Sequence, residues 1–167
     1  MDEGKVMKVL VWVVIAVGLL LAVLRFGCPM AHRMWTGRAL PPPNAAQLQG
    51  MEKLMELTLP PSTRPVAWNH NSALDYYIFL KVEIAPSDLQ TLIQNSPFAT
   101  MTLNSKAHNF YDGVGGDWWD DGGKAKQFLF GETLLPQGQQ YQDRDLQILV
   151  DMDRKDVYVV YLALFGD

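Results

Sequence analysis

The sequence LDYYIFLKVEI, residues 74–84, is the clearest strand signal in the chain. Alternate positions along it are apolar or aromatic, and this period of two residues is that of a β-strand with one buried side. The buried set is Tyr76, Ile78, Leu80, Val82 and Ile84. The other set begins aromatic and ends charged, so we expect the second side to be half-covered at most.

Four further stretches have strand character. Residues 66–68 form a short candidate for an edge strand, and apolar residues alternate through 126–134 and 146–152. Residues 157–165 are apolar on both sides, which predicts a central strand. The polar turn 153–156 should join the last two strands into a hairpin.

Two helices are expected between these strands. Residues 44–57 place Leu48, Met51, Leu54 and Met55 on one side at helical spacing, with Asn44 as the N-cap. A shorter helix should begin after Ala85, where Ser87 and Gln90 have capping-box spacing. Strands grouped around one or two short helices, without βαβ alternation, predict an α+β domain with an antiparallel sheet.

The N-terminal segment predicts a membrane anchor. Sixteen residues without a charge lie between Lys8 and Arg25. With its flanks, segment 6–26 spans roughly 32 Å as a helix, the thickness of the bilayer hydrocarbon core. Cleavage as a signal peptide, or lipid attachment at Cys28, are the alternatives. The predicted organisation is a tail at 1–5, a transmembrane helix at 6–26, a juxtamembrane linker at 27–43 and a soluble α+β domain at 44–167.

The net charge of the domain limits its possible partners. The charges beside the anchor do not determine its orientation in the membrane. From Leu40 onward the chain has nine basic and sixteen acidic residues, a net charge of 9 − 16 = −7. This balance argues against nucleic acid and fits solubility beside a membrane, or a basic partner. Lysine and arginine near the anchor number two before it and three after it, so the positive-inside rule does not decide. A signal-like N-terminal segment favours a domain outside the cytoplasm.

The most unusual loop is residues 109–123, which combine glycines, aspartates and aromatic residues. It is the predicted recognition site. Its candidate residues are Tyr111, Asp112, Asp117, Trp118, Trp119, Asp120 and Asp121. The spacing of the carboxylates is not that of a calcium-binding EF-hand loop. In an extended stretch, the two tryptophans point to opposite sides, so one fills the core while the other is available to stack on a sugar ring or a partner. The alternative is that both tryptophans fill the core.

No catalytic constellation, metal site or cofactor site emerges. Cys28 is the only cysteine, His70 and His108 lie in turn-like or loop sequence, and no serine has the nucleophile-elbow pattern. Asp151, Asp153 and Asp156 resemble half a calcium loop, but the turn glycine is missing, so we interpret them as a solvated turn. Glycan hydrolysis by two carboxylates remains an alternative, because the sequence does not give the distances between the acidic side chains.

Several short motifs occur in a fixed succession. Leu59-Pro60-Pro61-Ser62, a long strand, Pro86-Ser87-Asp88-Leu89, Trp118-Trp119 and a terminal hairpin follow one another. The succession resembles small membrane-anchored or exported bacterial proteins, and the resemblance implies no activity. We therefore expect a membrane-tethered, non-catalytic domain that binds a protein or an envelope component. A tethered glycan hydrolase and an immunity-type protein that neutralises a basic toxin are the alternatives.

Overall fold

The computed structural model describes residues 39–71, 76–106, 110, 118–119, 124–136 and 144–166. These residues belong to the unit Gly37–Asp167. Within them, no helix is both long enough and apolar enough to cross a bilayer. The predicted transmembrane helix at 6–26 and its flanks lie outside the described residues.

In the part of the chain that the structure describes, five strands form one antiparallel sheet. They are β1 (Arg64–Asn71), β2 (Tyr76–Ile84), β3 (Phe128–Leu135), β4 (Arg144–Asp151) and β5 (Tyr158–Gly166). Their order across the sheet is β1-β2-β5-β4-β3, and every neighbouring pair is antiparallel. The central position of β5 and its hairpin with β4 confirm two predictions from the sequence. The antiparallel α+β class is confirmed as well.

Two short helices accompany the sheet within the described ranges. Helix α1 (Ala45–Met55) has a full capping box, in which Asn44 and Gln47 each accept a hydrogen bond from the other's backbone N–H. Helix α2 (Leu89–Gln94) follows a 3-10 turn at Pro86–Asp88. The predicted capping box at Ser87 is wrong, because neither N-terminus there has a side-chain cap. The backbone enters through the 3-10 turn instead, with Pro86 in its first turn.

One side of the sheet, the helix face, carries the larger core. It combines the predicted buried side of β2 with apolar residues of β4, β5 and both helices. Its fully buried members include Leu80, Leu92, Ile148 and Leu162. Met51 and Met55 of α1 belong to the same cluster, so the methionine-rich stripe packs within the domain.

Arg144 joins the end of α1 to the sheet. Its guanidinium donates to the Leu54 carbonyl oxygen at 3.0 Å, to Glu56 Oε1 at 2.6 Å and to the Pro136 carbonyl oxygen at 2.7 Å. Glu56, the helix C-cap, has a left-handed backbone with φ 54°. The ion pair and the carbonyl contact hold this C-terminus, where helical carbonyl groups otherwise lack partners.

Among the described residues, each edge strand forms one isolated β-bridge with a segment that precedes it in the chain. Leu40 pairs with Trp68 of β1, and the Trp68 indole donates to the Pro41 carbonyl oxygen at 2.9 Å. On the far edge, Asn104 pairs with Phe130 of β3.

Candidate functional site

The second side of the sheet, the aromatic face, is built from cross-strand rows of side chains. One row runs Ala67, Lys81, Tyr161, Leu149 and Phe130. The next runs Asn69, Phe79, Ala163, Gln147 and Glu132. Phe79 is fully buried here. The expectation that this side is half-covered at most is therefore wrong over its middle rows.

Trp119 covers the centre of the aromatic face. Its ring centroid lies 4.8 Å from that of Phe79, 5.4 Å from that of Tyr161 and 5.2 Å from that of Phe110. Only 1% of its surface is exposed. Such aromatic contacts add to the free energy gained by burying the indole. Trp119 is thus the core-filling member of the tryptophan pair. The hydropathy of the sequence did not show which of the two tryptophans is buried.

Trp118 lies at the border of the same face and is only half-buried. It meets Trp119 edge-on, with the ring centroids 5.4 Å apart. Lys81 Nζ donates to the Trp118 carbonyl oxygen at 2.9 Å and lies 4.9 Å from the centroid of the Tyr161 ring. This charge-assisted hydrogen bond and the cation–π contact hold the Trp118 backbone against the sheet.

The other predicted loop residues are not part of this geometry. Tyr111, Asp112, Asp117, Asp120 and Asp121 lie outside the described residues. Of the seven candidates, the structure brings Trp118 and Trp119 together on the aromatic face and assigns them different burial.

A polar cluster on the aromatic face was missed by the sequence reasoning. Gln147 Nε2 donates to Glu132 Oε1 at 3.1 Å and to Asp145 Oδ2 at 3.4 Å. Burial raises the pKa of the Asp145 carboxyl to about 6, and the negative charge of Glu132 and a hydrogen bond with it act in the same direction. Alternation in β4 already placed Asp145 and Gln147 on one side of the strand. Glu132 joins them only through the register of β3 against β4.

The carboxylates near the β4–β5 turn have a structural role. Asp153 accepts hydrogen bonds from the backbone N–H groups of Lys126 and Gln127, at 3.0 and 2.8 Å to Oδ1, and these bonds lower the pKa of its carboxyl. The Asp153 N–H donates to Asp151 Oδ1 at 2.9 Å. Hydrogen bonds also lower the pKa of Asp156, first from its own backbone and then from the Arg154 side chain. The turn therefore ties β4 to the chain entering β3.

His70 has no catalytic neighbours among the described residues. It is exposed and stacks on Trp68, with the ring centroids 5.0 Å apart and an angle of 6° between the planes. His108 and Cys28 lie outside the described residues. In the described part of the chain, no group of three or more His, Cys, Asp or Glu side chains is arranged to hold a metal.

The chain matches no protein-family description, curated protein or solved structure in the comparisons made.

Proposed function

We propose that the chain is a membrane-tethered, non-catalytic domain that binds a protein or an envelope component through the loop that carries Trp118. The main support is the position of Trp118, a half-buried indole whose backbone is fixed to the sheet by Lys81. Large aromatic side chains on a fixed backbone contribute strongly to binding, because they bury much area and lose little conformational entropy. The tether at 6–26 is inferred from the sequence.

Charge supports a basic partner. The excess of seven negative charges from Leu40 onward attracts positively charged surfaces at long range and repels nucleic acid. An immunity-type role against a basic toxin is a special case of this proposal. A toxin gene beside this one would favour that case, and its absence would count against it.

The arrangement of Glu132 and Asp145 gives little support to the hydrolase alternative. The two carboxyl groups share one donor, because Gln147 Nε2 donates to Glu132 Oε1 at 3.1 Å and to Asp145 Oδ2 at 3.4 Å. A glycosidase needs carboxyl groups about 5–9.5 Å apart, so that the scissile bond or a water fits between them. The proximity of Glu132, which helps to raise the pKa of Asp145, leaves little space between the two carboxyl groups, and a panel of envelope glycans should show no turnover.

The tryptophan pair provides the test. Trp119→Ala should destabilise the domain by about 3–5 kcal/mol, because it empties the centre of the aromatic face. Trp118→Ala should keep the fold, with a loss of about 1 kcal/mol for partial burial, and should lose partner binding. Thermal unfolding measures the first effect. Photo-crosslinking from benzoylphenylalanine at position 118, in membranes that contain the full chain, measures the second.

The matched control places the same crosslinker at Gln49, which is exposed on α1. A discrete adduct from position 118 and none from position 49 supports the proposal. Unfolding of both alanine variants, or equal adducts from both positions, would show that the tryptophans only fill the core and that the binding site lies elsewhere.

A further inference from the structure

The edge strand β1 is protected along its outer side. Pro65, near its start, has no N–H group to donate, and a β-bulge interrupts the register between Pro65 and Ala67. Further along the strand, the Leu40 N–H donates to the Trp68 carbonyl oxygen at 2.8 Å. Prolines, bulges and covering segments are features by which edge strands avoid pairing with other chains. Strand β1 is therefore a poor template for a further strand.

The edge strand β3 is bridged at Phe130 and open beyond it. Phe130 and Asn104 exchange two backbone hydrogen bonds, at 2.7 and 2.8 Å. Alternate residues of a strand direct their N–H and C=O groups to the same side, so those of Glu132 and Leu134 also point away from β4. In the described part of the chain, no backbone hydrogen bond reaches these groups. The register of β3 against β4 is continuous, so the open stretch is regular strand.

The side chains of this open stretch are exposed as well. Leu134 is 74% exposed, the largest exposed fraction of a large apolar side chain in the described ranges. Glu132 is also exposed and lies on the same side of β3, the aromatic face. Among the described residues, no lysine or arginine forms a salt bridge with Glu132. A partner at this edge would meet unpaired backbone groups, one apolar side chain and one negative charge.

We infer that residues 132–134 of β3 bind an extended segment of a partner protein, which adds to the sheet as a further strand and places a lysine or arginine beside Glu132. Strand addition takes its affinity from backbone hydrogen bonds and its specificity from alternate side chains. Opposite charges on neighbouring strands stabilise the pairing, and like charges directly opposite each other destabilise it.

The charge of the domain favours a basic segment over a second copy of this chain. The excess of seven negative charges from Leu40 onward makes two copies repel each other and attracts a basic segment. The inference is independent of the contact proposed for Trp118, because the Trp118 carbonyl group is bonded to Lys81 of β2 and not to β3.

Short synthetic peptides labelled with fluorescein provide the test. Two of them alternate valine with a charged residue, which is lysine in one peptide and glutamate in the other. Fluorescence anisotropy with the full chain, purified in detergent, should show that the lysine peptide binds roughly tenfold more tightly or better. A third peptide is the lysine peptide with methyl groups on the N–H groups of alternate residues that would face β3. It keeps its charge and should lose binding, because it cannot donate to the strand edge.

A proline substitution tests the backbone contact from the side of the protein. Leu134→Pro removes one outward N–H group and leaves the hydrogen bonds between β3 and β4 in place, since prolines are tolerated on the open side of edge strands. It should weaken binding of the lysine peptide roughly tenfold, with an unchanged circular dichroism spectrum. His70→Pro makes the same change on the outer side of β1, and this variant should bind the peptide like the parent chain.

Charge reversal tests the contact at Glu132. Glu132→Lys should reverse the preference, so that the glutamate peptide binds more tightly than the lysine peptide. Asp156→Lys changes the net charge by the same amount at the β4–β5 turn, and it should retain the preference for the lysine peptide. The two variants separate a local contact from a general attraction to the acidic domain.

Three results would overturn the inference. The first is no binding of the lysine peptide, or equal affinity for the lysine peptide and either of the other two. The second is unchanged binding in Leu134→Pro, or a preference that Asp156→Lys reverses as fully as Glu132→Lys does. The third is a dimer of the parent chain in analytical ultracentrifugation that Leu134→Pro abolishes, which would mean that a second copy occupies this edge.

Discussion

Asp145 shows how the surroundings of one residue change its chemistry. In the sequence it is one of sixteen acidic residues from Leu40 onward. In the fold it is partly buried beside Glu132, and the pKa of its carboxyl rises to about 6. Glu83 shows the opposite arrangement, because Arg64 at 2.6 Å and Arg154 at 3.4 Å pair with it at the surface. The position in the fold, and not the residue type, therefore determines whether a carboxylate lies beside a second carboxylate or beside a cationic side chain.

The raised pKa of Asp145 predicts a pH-dependent stability. The folded state binds the proton more tightly than the unfolded state, so this group stabilises the domain fully below pH 4. That contribution is lost as the pH rises towards 6. Asp145→Asn should therefore stabilise the domain by about 1–2 kcal/mol at pH 7.5 and by much less at pH 4.5. Urea unfolding at the two pH values, with chelator present, measures the difference.

Glu132→Gln is the control for the pH effect. It removes the neighbouring charge, which is the second cause of the shift, and leaves the burial of Asp145 in place. It should reduce the pH dependence without abolishing it. Equal stabilisation by Asp145→Asn at both pH values would contradict the assignment.

At the scale of the elements, packing was only partly readable from the sequence. The stripe on α1 and the alternation in β2 predict their own buried sides, because period and hydropathy are local properties. The burial of Phe79 was not predicted, since its cover comes from Trp119, forty residues further along the chain. The polar cluster is a similar case, because it depends on which residue of β3 faces which residue of β4.

Substitution by alanine should have opposite effects on the stability of the domain at two glycine positions. A Cβ atom at Gly131 would lie 2.6 Å from Leu103 Cδ2 and 3.0 Å from Phe98 Cδ1, whereas one at Gly50 would meet nothing within 4 Å. Gly131→Ala should destabilise the domain by about 1–2 kcal/mol through overpacking. Gly50→Ala, in the interior of α1, should stabilise it by about 0.5–1 kcal/mol.

Chemical denaturation of the two variants beside the parent chain measures both effects. Gly50→Ala is the matched control, since it makes the same chemical change in open space. A neutral Gly131→Ala would show that the segment around Leu103 moves away from β3 without cost. The bridge between Asn104 and Phe130 would then contribute little to the stability of this edge.

At the scale of the whole molecule, the two faces of the sheet are covered by different kinds of structure. The helix face is packed by α1, α2 and the segment around Phe98, and the aromatic face by Phe110, Trp118 and Trp119. Residues from a loop thus complete a core that helices do not reach. A loop in that position can present a side chain such as Trp118 outward while its neighbour stays inside.

The proposed tether makes a prediction about the complete chain. The full-length protein should stay with the membrane fraction after alkaline extraction, because an apolar helix of spanning length is held by the hydrocarbon core. A chain without residues 6–26 should be released. Reporters that are active on only one side of the membrane, fused after Asp167, should report the side outside the cytoplasm. Release of the full chain, or signal only from the cytoplasmic reporter, would contradict the tether or its orientation.

The sequence by itself determined the α+β class, the central position of the last strand, its hairpin with the preceding strand and the buried side of α1. These features depend on local period, turn chemistry and hydropathy, which are properties of short segments. Only the tertiary structure decided which tryptophan is buried, that Arg144 holds the end of α1, and that Glu132 meets Asp145 and Gln147. These contacts depend on strand order and register, which bring together residues that are distant along the chain.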